Sequence, residues 1–342
     1  MPELPEVETT LRGIAPYLTC RRIERLIVRE RRLRYPIAEG TEAALAGQSV
    51  HGVRRRGKYL LLQLERGGVL VHLGMSGSLR VLPAATPPGP HDHLDLCLSS
   101  ASEGCSERST QEAPPPPGEG LGRGGSKQAP DLLLDRAAAP LAPDAGERPL
   151  STALKGERDD ARPAQIPTET PVQCLRLRDP RRFGLFLWTP EPLEEHPLIR
   201  RLGPEPLGPD FDGDRLYAHS RGRRTAVKAF IMESGEVVGV GNIYANESLY
   251  RAGIHPARAC GRIGLARYRR LAAAIREVLA QAIEQGGTSL RDFVREDGSP
   301  GYFAVALKVY GRAGEPCPAC GEPVRQRRIG QRSSYFCPRC QR

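Results

Sequence analysis

Between Arg22 and Val81 short apolar runs alternate with polar residues and end at glycine-containing turns, a pattern that predicts β-strands. The segments are Ile23–Val28, Ser49–Arg55, Tyr59–Leu64 and Val69–Leu73. Leu94–Ser99, Val172–Arg178 and Arg182–Trp188 read as further strands. Thr9–Tyr17 has the composition of a short helix that would hold the N-terminus against the sheet. A Pro/Gly-rich linker runs from Pro190 to about Asp210, and beyond it the apolar period lengthens to that of helices. Asp214–Arg221, Val227–Ser234, Asn242–Ala252, Leu265–Gln285 and the shorter Ser289–Val294 are the expected helices, punctuated by Gly or Pro.

One stretch breaks the pattern. Residues 101–171 contain eleven prolines, many Gly, Ser and Ala, and not one Phe, Trp or Tyr. Such a segment buries too little apolar surface to offset chain entropy, so disorder is expected. It joins two expected strands and reads either as a hairpin turn grossly enlarged or as a partner-binding tail. Closing a longer loop costs only about 0.6 kcal/mol per doubling of its length, so the fold tolerates it.

Charge and cysteine spacing add chemistry. The 342 residues carry a net charge of +10, mostly as arginine, which favours a polyanionic partner, nucleic acid being the commonest. No apolar run approaches the roughly 20 residues of a membrane span, and the first twenty residues lack a signal-peptide apolar core. A cytoplasmic setting is expected, nucleoid-associated if DNA is the partner. Its reduced thiols argue that the nine cysteines serve metal or stay free rather than form disulfides. Cys317, Cys320, Cys337 and Cys340 form two C-x2-C knuckles sixteen residues apart, a closed S4 shell for one structural Zn²⁺. Arg325, Arg327, Arg328 and Arg332 lie between them, with no acidic residue after Pro323, so a zinc-pinned β-hairpin gripping phosphates is expected. A zinc staple with a merely solvated basic face is the alternative. Cys20, Cys97, Cys105, Cys174 and Cys260 show no ligand spacing. Val237–Tyr244 is a tight turn feeding a helix, whose free N–H groups suit a DNA phosphate, although such turns are common. Finally, the chain opens Met1-Pro2-Glu3-Leu4-Pro5-Glu6-Val7-Glu8. With Met1 removed, Pro2 carries a free secondary amine, nucleophilic near neutral pH, beside the proton carrier Glu3. A ragged, solvated terminus is the competing reading.

These motifs together resemble the bacterial formamidopyrimidine-DNA glycosylase family. The resemblance rests on residues 2–8, Arg56-Gly57-Lys58-Tyr59-Leu60, His72-Leu73-Gly74-Met75-Ser76-Gly77, His91-Asp92-His93 and Asp179-Pro180-Arg181-Arg182-Phe183-Gly184. It continues through Gly239-Val240-Gly241-Asn242-Ile243-Tyr244-Ala245, Gly286-Gly287-Thr288, Val309-Tyr310-Gly311-Arg312 and the four cysteines. Order and approximate spacing agree everywhere except 101–171.

The resemblance implies an α+β fold of two domains. These are an N-terminal β-sandwich with flanking helices (1–188, interrupted by 101–171) and, after a linker at 189–210, a helix–two-turn–helix domain (211–300). A zinc finger (301–342) completes the second. It implies a bifunctional glycosylase and abasic-site lyase for oxidised purines in double-stranded DNA, acting as a monomer and needing no redox or organic cofactor. Pro2, Glu3 and Lys58 would be the catalytic set, supported by Glu6; His72, His91, Asn242 and Arg332 would bind DNA. Lys58 also reads, locally, as one charge in the run Arg54–Lys58. Met75, Arg181 and Phe183 would fill the space of an everted base; without the resemblance, Met75 and Phe183 read as core. Thr288–Tyr302 matches the loop that closes over the lesion, or else is a surface loop of no function. The insertion and Glu233-Ser234 depart from the family's usual pattern. Two rivals remain: an endonuclease VIII-type enzyme for oxidised pyrimidines, and a non-catalytic zinc-ribbon DNA-binding protein. Leu4 and the complete wedge trio weigh against the first, and the Pro2-Glu3 pair against the second.

Overall fold

The computed structural model describes residues 2–99, 173–286 and 307–342. Met1, the 101–171 insertion with Cys105, the expected helix at Ser289–Val294 and the loop expected at Thr288–Tyr302 lie outside them.

Helix α1 (Leu4–Leu18) starts five residues before the expected Thr9, because Glu6 caps it. The Glu6 carboxylate accepts the Glu3 N–H at 2.8 Å, and Pro5 lies in a first turn where a missing N–H costs nothing. Its buried residues Val7, Ile14 and Leu18 face the sheet residues.

Strands β1 (Arg21–Val28), β2 (Ser49–Arg56), β3 (Tyr59–Leu64), β4 (Gly68–His72), β5 (Ser78–Pro83), β6 (Asp92–Leu98), β7 (Gln173–Arg178) and β8 (Leu185–Thr189) hydrogen-bond in the order β5-β7-β6-β1-β2-β3-β4-β8. The order turns a corner at β1. Only Arg21 and Arg22 pair with β2, while Ile23 to Val28 pair with β6. Two four-stranded layers result, and their inner side chains meet in one core. Leu60, Leu62, Val69, Val71 and Phe186 from one layer pack with Ile23, Leu94, Leu96, Leu175 and Leu177 from the other. The expected sandwich is therefore present. Leu61, Leu70 and Leu185 face outward but are covered by Leu193 and Ile199, so β3 and β4 are apolar on both faces.

Two strand expectations need correction. The sequence did not mark β5, which among the described residues is an edge strand paired with β7 and ends on Pro83. The last strand starts at Leu185 rather than Arg182, because Asp179 holds the preceding loop and Arg182 sits at φ 55°. The expectation of unpaired thiols also fails. Cys97 and Cys174 are directly opposite across β6 and β7, with Cα atoms 4.1 Å apart, and form a disulfide; Cys20 is disulfide-bonded as well. A sequence separation of 77 residues hid that register.

Short helices α2 (Thr41–Leu45) and α3 (Pro197–Arg200), both unmarked by the sequence, precede the helical half. There, α4 (Gly213–Ser220), α5 (Val227–Ile231), α6 (Asn242–Arg251) and α7 (Leu265–Glu284) enclose Phe211, Phe230, Ile243, Leu249, Tyr268, Ile275 and Leu279. Helix α5 ends three residues earlier than expected, where Met232 opens the successive turns leading to α6. The expected hairpin between the cysteine knuckles consists of β9 (Arg325–Ile329) and β10 (Arg332–Phe336). Among the described residues, no helix is long and apolar enough to cross a membrane.

Candidate active site and DNA interface

The first turn of α6 receives the opening residues of the chain. Glu3 is buried, and its carboxylate accepts the N–H groups of Gly241 at 2.8 Å and Ile243 at 2.9 Å, with Tyr244 N at 3.4 Å. Leu4 N–H donates to the Gly239 carbonyl at 3.1 Å. The glycines of the turn exist for this approach: a Cβ on Gly239 would fall 2.5 Å from Leu4 Cβ, and one on Gly241 only 2.2 Å from Glu3 Cδ. The anion at this helix N-terminus is thus the protein's own carboxylate, not the phosphate that the turn suggested. Pro2 is buried beside it.

Burial raises the Glu3 carboxyl above the usual carboxylate range; Glu6 adds to this, while Lys58 and the α6 N–H groups oppose it. A carboxyl tuned upward is suited to carrying a proton near neutrality. Lys58 is shifted the other way: burial lowers its ammonium, and Arg332 adds to that, against the pull of Glu3 and Glu6. Its Nζ lies 3.4 Å from the Val240 carbonyl.

Lys58 is not one charge in a solvated run. Arg55 Nη1 and Arg56 Nη1 bond the two oxygens of Glu205 at 2.8 and 3.0 Å, and the Gly57 N–H joins them at 2.7 Å. Arg55 also reaches Glu8 at 2.8 Å, and Arg56 Nη2 reaches the Gly203 carbonyl at 2.6 Å. The β2–β3 turn is so fastened to the linker, and Lys58 lies close enough to feel the charges of Glu3 and Glu6. Beside it, His72 accepts the Gly74 N–H at Nδ1 (2.9 Å), which places the imidazole proton on Nε2. Burial, with Lys58 and Arg34 nearby, lowers its pKa to about 4, so His72 is a neutral donor at physiological pH.

The three wedge candidates are brought to one pair of turns. Asp179 is fully buried and accepts Ser76 Oγ at 2.9 Å and the N–H groups of Gly184 and Arg181 at 2.7 and 3.3 Å. It thereby ties the Met75 turn to the Arg181–Phe183 loop. Gly74 is needed at the junction, where it sits at φ +64° and a Cβ would lie 2.4 Å from Gly184 N. Met75 is half-buried, whereas Arg181 and Phe183 are exposed, with the guanidinium 5.0 Å from the ring centroid. Phe183 is 45 % exposed, so the alternative of a core residue is wrong for it. His91, at φ 71°, is exposed and accepts the Asp179 N–H through its carbonyl at 3.1 Å.

The hairpin reaches the same place from the C-terminal end. Arg332 is exposed at the start of β10 and close enough to depress both Lys58 and Lys228. Lys228, 1 % exposed, donates to the Ser333 carbonyl and Ser334 Oγ at 2.8 and 2.7 Å, and burial lowers it to about 8. It pins β10 to α5. Asn246 Oδ1 takes the Tyr335 N–H at 2.8 Å, and Glu247 accepts three consecutive N–H groups, Lys308 to Tyr310. Asn242 opens α6, and its buried Oδ1 has no hydrogen-bond partner among the described residues. The four cysteine sulfurs all lie within 4.8 Å of one another, with Cys320–Cys337 at 3.5 Å and Cys317–Cys340 at 3.9 Å. A tetrahedron with Zn–S of about 2.3 Å needs sulfurs about 3.8 Å apart, so these thiolates fit one zinc ion and leave no open coordination position.

Sequence reasoning gave no role to Asp179, Glu205, Lys228, Asn246 or Glu247. The local signals available were Asp179 at the head of the Asp179–Gly184 motif and a lysine set among Val227, Phe230 and Ile231.

Comparison with known proteins agrees with this arrangement. Residues 1–108 match the formamidopyrimidine-DNA glycosylase N-terminal domain, 202–294 the H2TH domain of that enzyme, and 314–342 the zinc finger found in FPG and IleRS. The chain is 50% identical to a formamidopyrimidine-DNA glycosylase of Alkalilimnicola ehrlichii and 49% to one of Methylococcus capsulatus, each alignment covering 100% of both chains. Among solved structures it is similar to the MutM (Fpg) protein of Thermus thermophilus (TM-score 0.70, 31% identity, 99% and 98% of the two chains). It is also similar to Lactococcus lactis Fpg in complex with an abasic-site DNA (TM-score 0.72, 25% identity, 99% of each). A sandwich, an H2TH helix pair and a four-cysteine finger, matched over full length at half identity, place this chain in the formamidopyrimidine-DNA glycosylase family.

Proposed function

We propose that the protein is a bifunctional DNA glycosylase and abasic-site lyase of base-excision repair, removing oxidised purines from double-stranded DNA. The observation that carries the chemistry is the buried Glu3 carboxylate on the first turn of α6, between Pro2 and Lys58. Once Met1 is removed, the Pro2 nitrogen attacks C1′ of the damaged nucleoside. The C1′–N bond breaks and the base leaves with a proton; the C1′–O4′ bond then opens, O4′ taking a proton from Glu3, and the sugar remains as a ring-opened iminium on Pro2. Glu3 carries protons to and from the sugar. Loss of a C2′ proton expels the 3′ phosphate, and a second elimination expels the 5′ phosphate.

The base must leave the helix first, at a cost of a few kcal/mol. Met75 and Phe183 replace the lost stacking, and Arg181 hydrogen-bonds the widowed base. Lys58, His72, His91, Asn242 and Arg332 hold the backbone around the lesion, supported by the zinc-held hairpin. Asn242 stands at the head of α6, where its side-chain N–H₂ serves a phosphate. We take the division at 1–188, 189–210, 211–300 and 301–342 as the working domain organisation; nucleoid association follows if binding to undamaged DNA is appreciable.

The test compares excision from an 8-oxoguanine:cytosine duplex with that from an oxidised-pyrimidine duplex. Faster release of 8-oxoguanine, leaving phosphate on both sides of the gap, is expected. Preference for the pyrimidine supports the endonuclease VIII-type reading, and binding without cleavage of either supports a non-catalytic protein.

A further inference from the structure

We propose that Tyr244 is a positioning residue for the catalytic terminus, acting through Glu6; this rests on the Pro2 and Glu3 chemistry proposed above. Tyr244 is fully buried on the first turn of α6. Its hydroxyl donates to Glu6 Oε1 at 2.7 Å, while Glu6 Oε2 accepts the Glu3 N–H at 2.8 Å. Its own N–H lies 3.4 Å from Glu3 Oε2. One residue therefore touches both carboxylates next to Pro2, with its side chain on Glu6 and its backbone on Glu3.

The consequence is geometric. A carboxylate fixed at both oxygens has no freedom to turn about its Cγ–Cδ bond, so the Pro2–Glu3 peptide that it holds is fixed as well. Lys58 attracts Glu6 and Glu3 alike and is the competing partner. With the tyrosine hydroxyl removed, Glu6 can rotate toward Lys58 and release the Glu3 N–H. Hydrogen bonds to charged groups are among the strong ones, and a small displacement of a nucleophile is costly in rate. The same turn carries Asn242, so a phosphate seated there and the terminus that attacks the sugar share one rigid support.

The experiment is Tyr244→Phe, read by single-turnover excision of 8-oxoguanine, by DNA affinity from fluorescence anisotropy, and by thermal melting. Excision is expected to fall by about 10-fold, the scale of one charge-assisted hydrogen bond, with Kd for lesion DNA within about twofold. In a Glu6→Gln background the further loss from Tyr244→Phe should vanish, because both substitutions cut one link. Wild-type excision by Tyr244→Phe overturns the proposal, and so does a loss that multiplies undiminished in the Glu6→Gln background. A fall in affinity matching the fall in rate would make the residue merely structural. If Tyr244→Phe does not fold, Glu6→Gln alone must show the same loss of rate at unchanged affinity. Protein with Met1 retained, so that the Pro2 nitrogen is acylated, separates the two readings in the same assay: wild-type excision by that form refutes the amine chemistry itself, whatever Tyr244 does.

Discussion

Gly241→Ala tests the anchoring of Glu3 without touching a titratable group. The backbone there is not in the left-handed region, so alanine is conformationally allowed. The cost falls on the carboxylate. A Cβ would stand 2.2 Å from Glu3 Cδ, 2.4 Å from Oε1 and 2.6 Å from Cγ, where ordinary contact starts at 3.4 Å. The carboxylate must retreat by about 1 Å, and its bonds of 2.8 and 2.9 Å to Gly241 and Ile243 are lost or lengthened. Each bond to a charged group is worth about 1.5–3 kcal/mol, and a misplacement of about 1 Å costs on the order of 100-fold in rate. Single-turnover excision of 8-oxoguanine should thus fall about 100-fold, with melting lowered and affinity for undamaged duplex little changed. Gly264→Ala, where nothing among the described residues lies within 4 Å, is the control and should leave excision unchanged. An excision rate within twofold of wild type for Gly241→Ala would refute the claim that Glu3 is held by α6.

Asp179→Asn should loosen the link between the Met75 turn and the Arg181–Phe183 loop. Discrimination between cytosine and adenine opposite the lesion is expected to drop about 10-fold, measured as a ratio of excision rates, with stability lowered by about 1–3 kcal/mol. His72 is neutral in the fold with a pKa of about 4 against 6.5 free, so the unfolded chain takes up its proton first as pH falls. That stability contribution is complete above about pH 6.5 and is lost between 6.5 and 4, on the order of 3 kcal/mol; denaturant melts of His72→Gln should show a shallower acid limb. Chelating zinc should weaken DNA binding by at least 10-fold in anisotropy, because Arg332 and the Lys228 contacts depend on the hairpin, whereas unchanged affinity would refute that role.

The fold was legible where one residue's neighbours in sequence are also its neighbours in space. The short apolar run Tyr59–Leu64 between glycine-containing turns marked a strand, and the two C-x2-C knuckles marked the finger. Edge strand β5 was not legible, since half its partners are solvent and its pattern is weak. The site divides the same way. Pro2, Glu3, Lys58, Asn242 and Arg332 stand in recognisable motifs, and the fold brings them together. Part of what holds them stands in the same motifs, Glu6 and the Gly241–Tyr244 turn on Glu3, and part stands in none. Glu205 meets Arg55 and Arg56 from about 150 positions away, Lys228 finds its partners on β10, and Cys97 finds Cys174 only through strand register. The Gly239-Val240-Gly241 turn was visible but misjudged: the sequence showed that something approaches closely there, not that the visitor is the chain's own Glu3.

The most direct test of the account is borohydride reduction of the enzyme on an 8-oxoguanine:cytosine duplex, followed by peptide mapping of the adduct. One covalent DNA adduct is expected on the Pro2 nitrogen of Met1-processed protein, and none on protein whose retained Met1 acylates that nitrogen. An adduct mapped to Lys58 or Lys228, or no adduct from an enzyme that nonetheless excises the base, would contradict it.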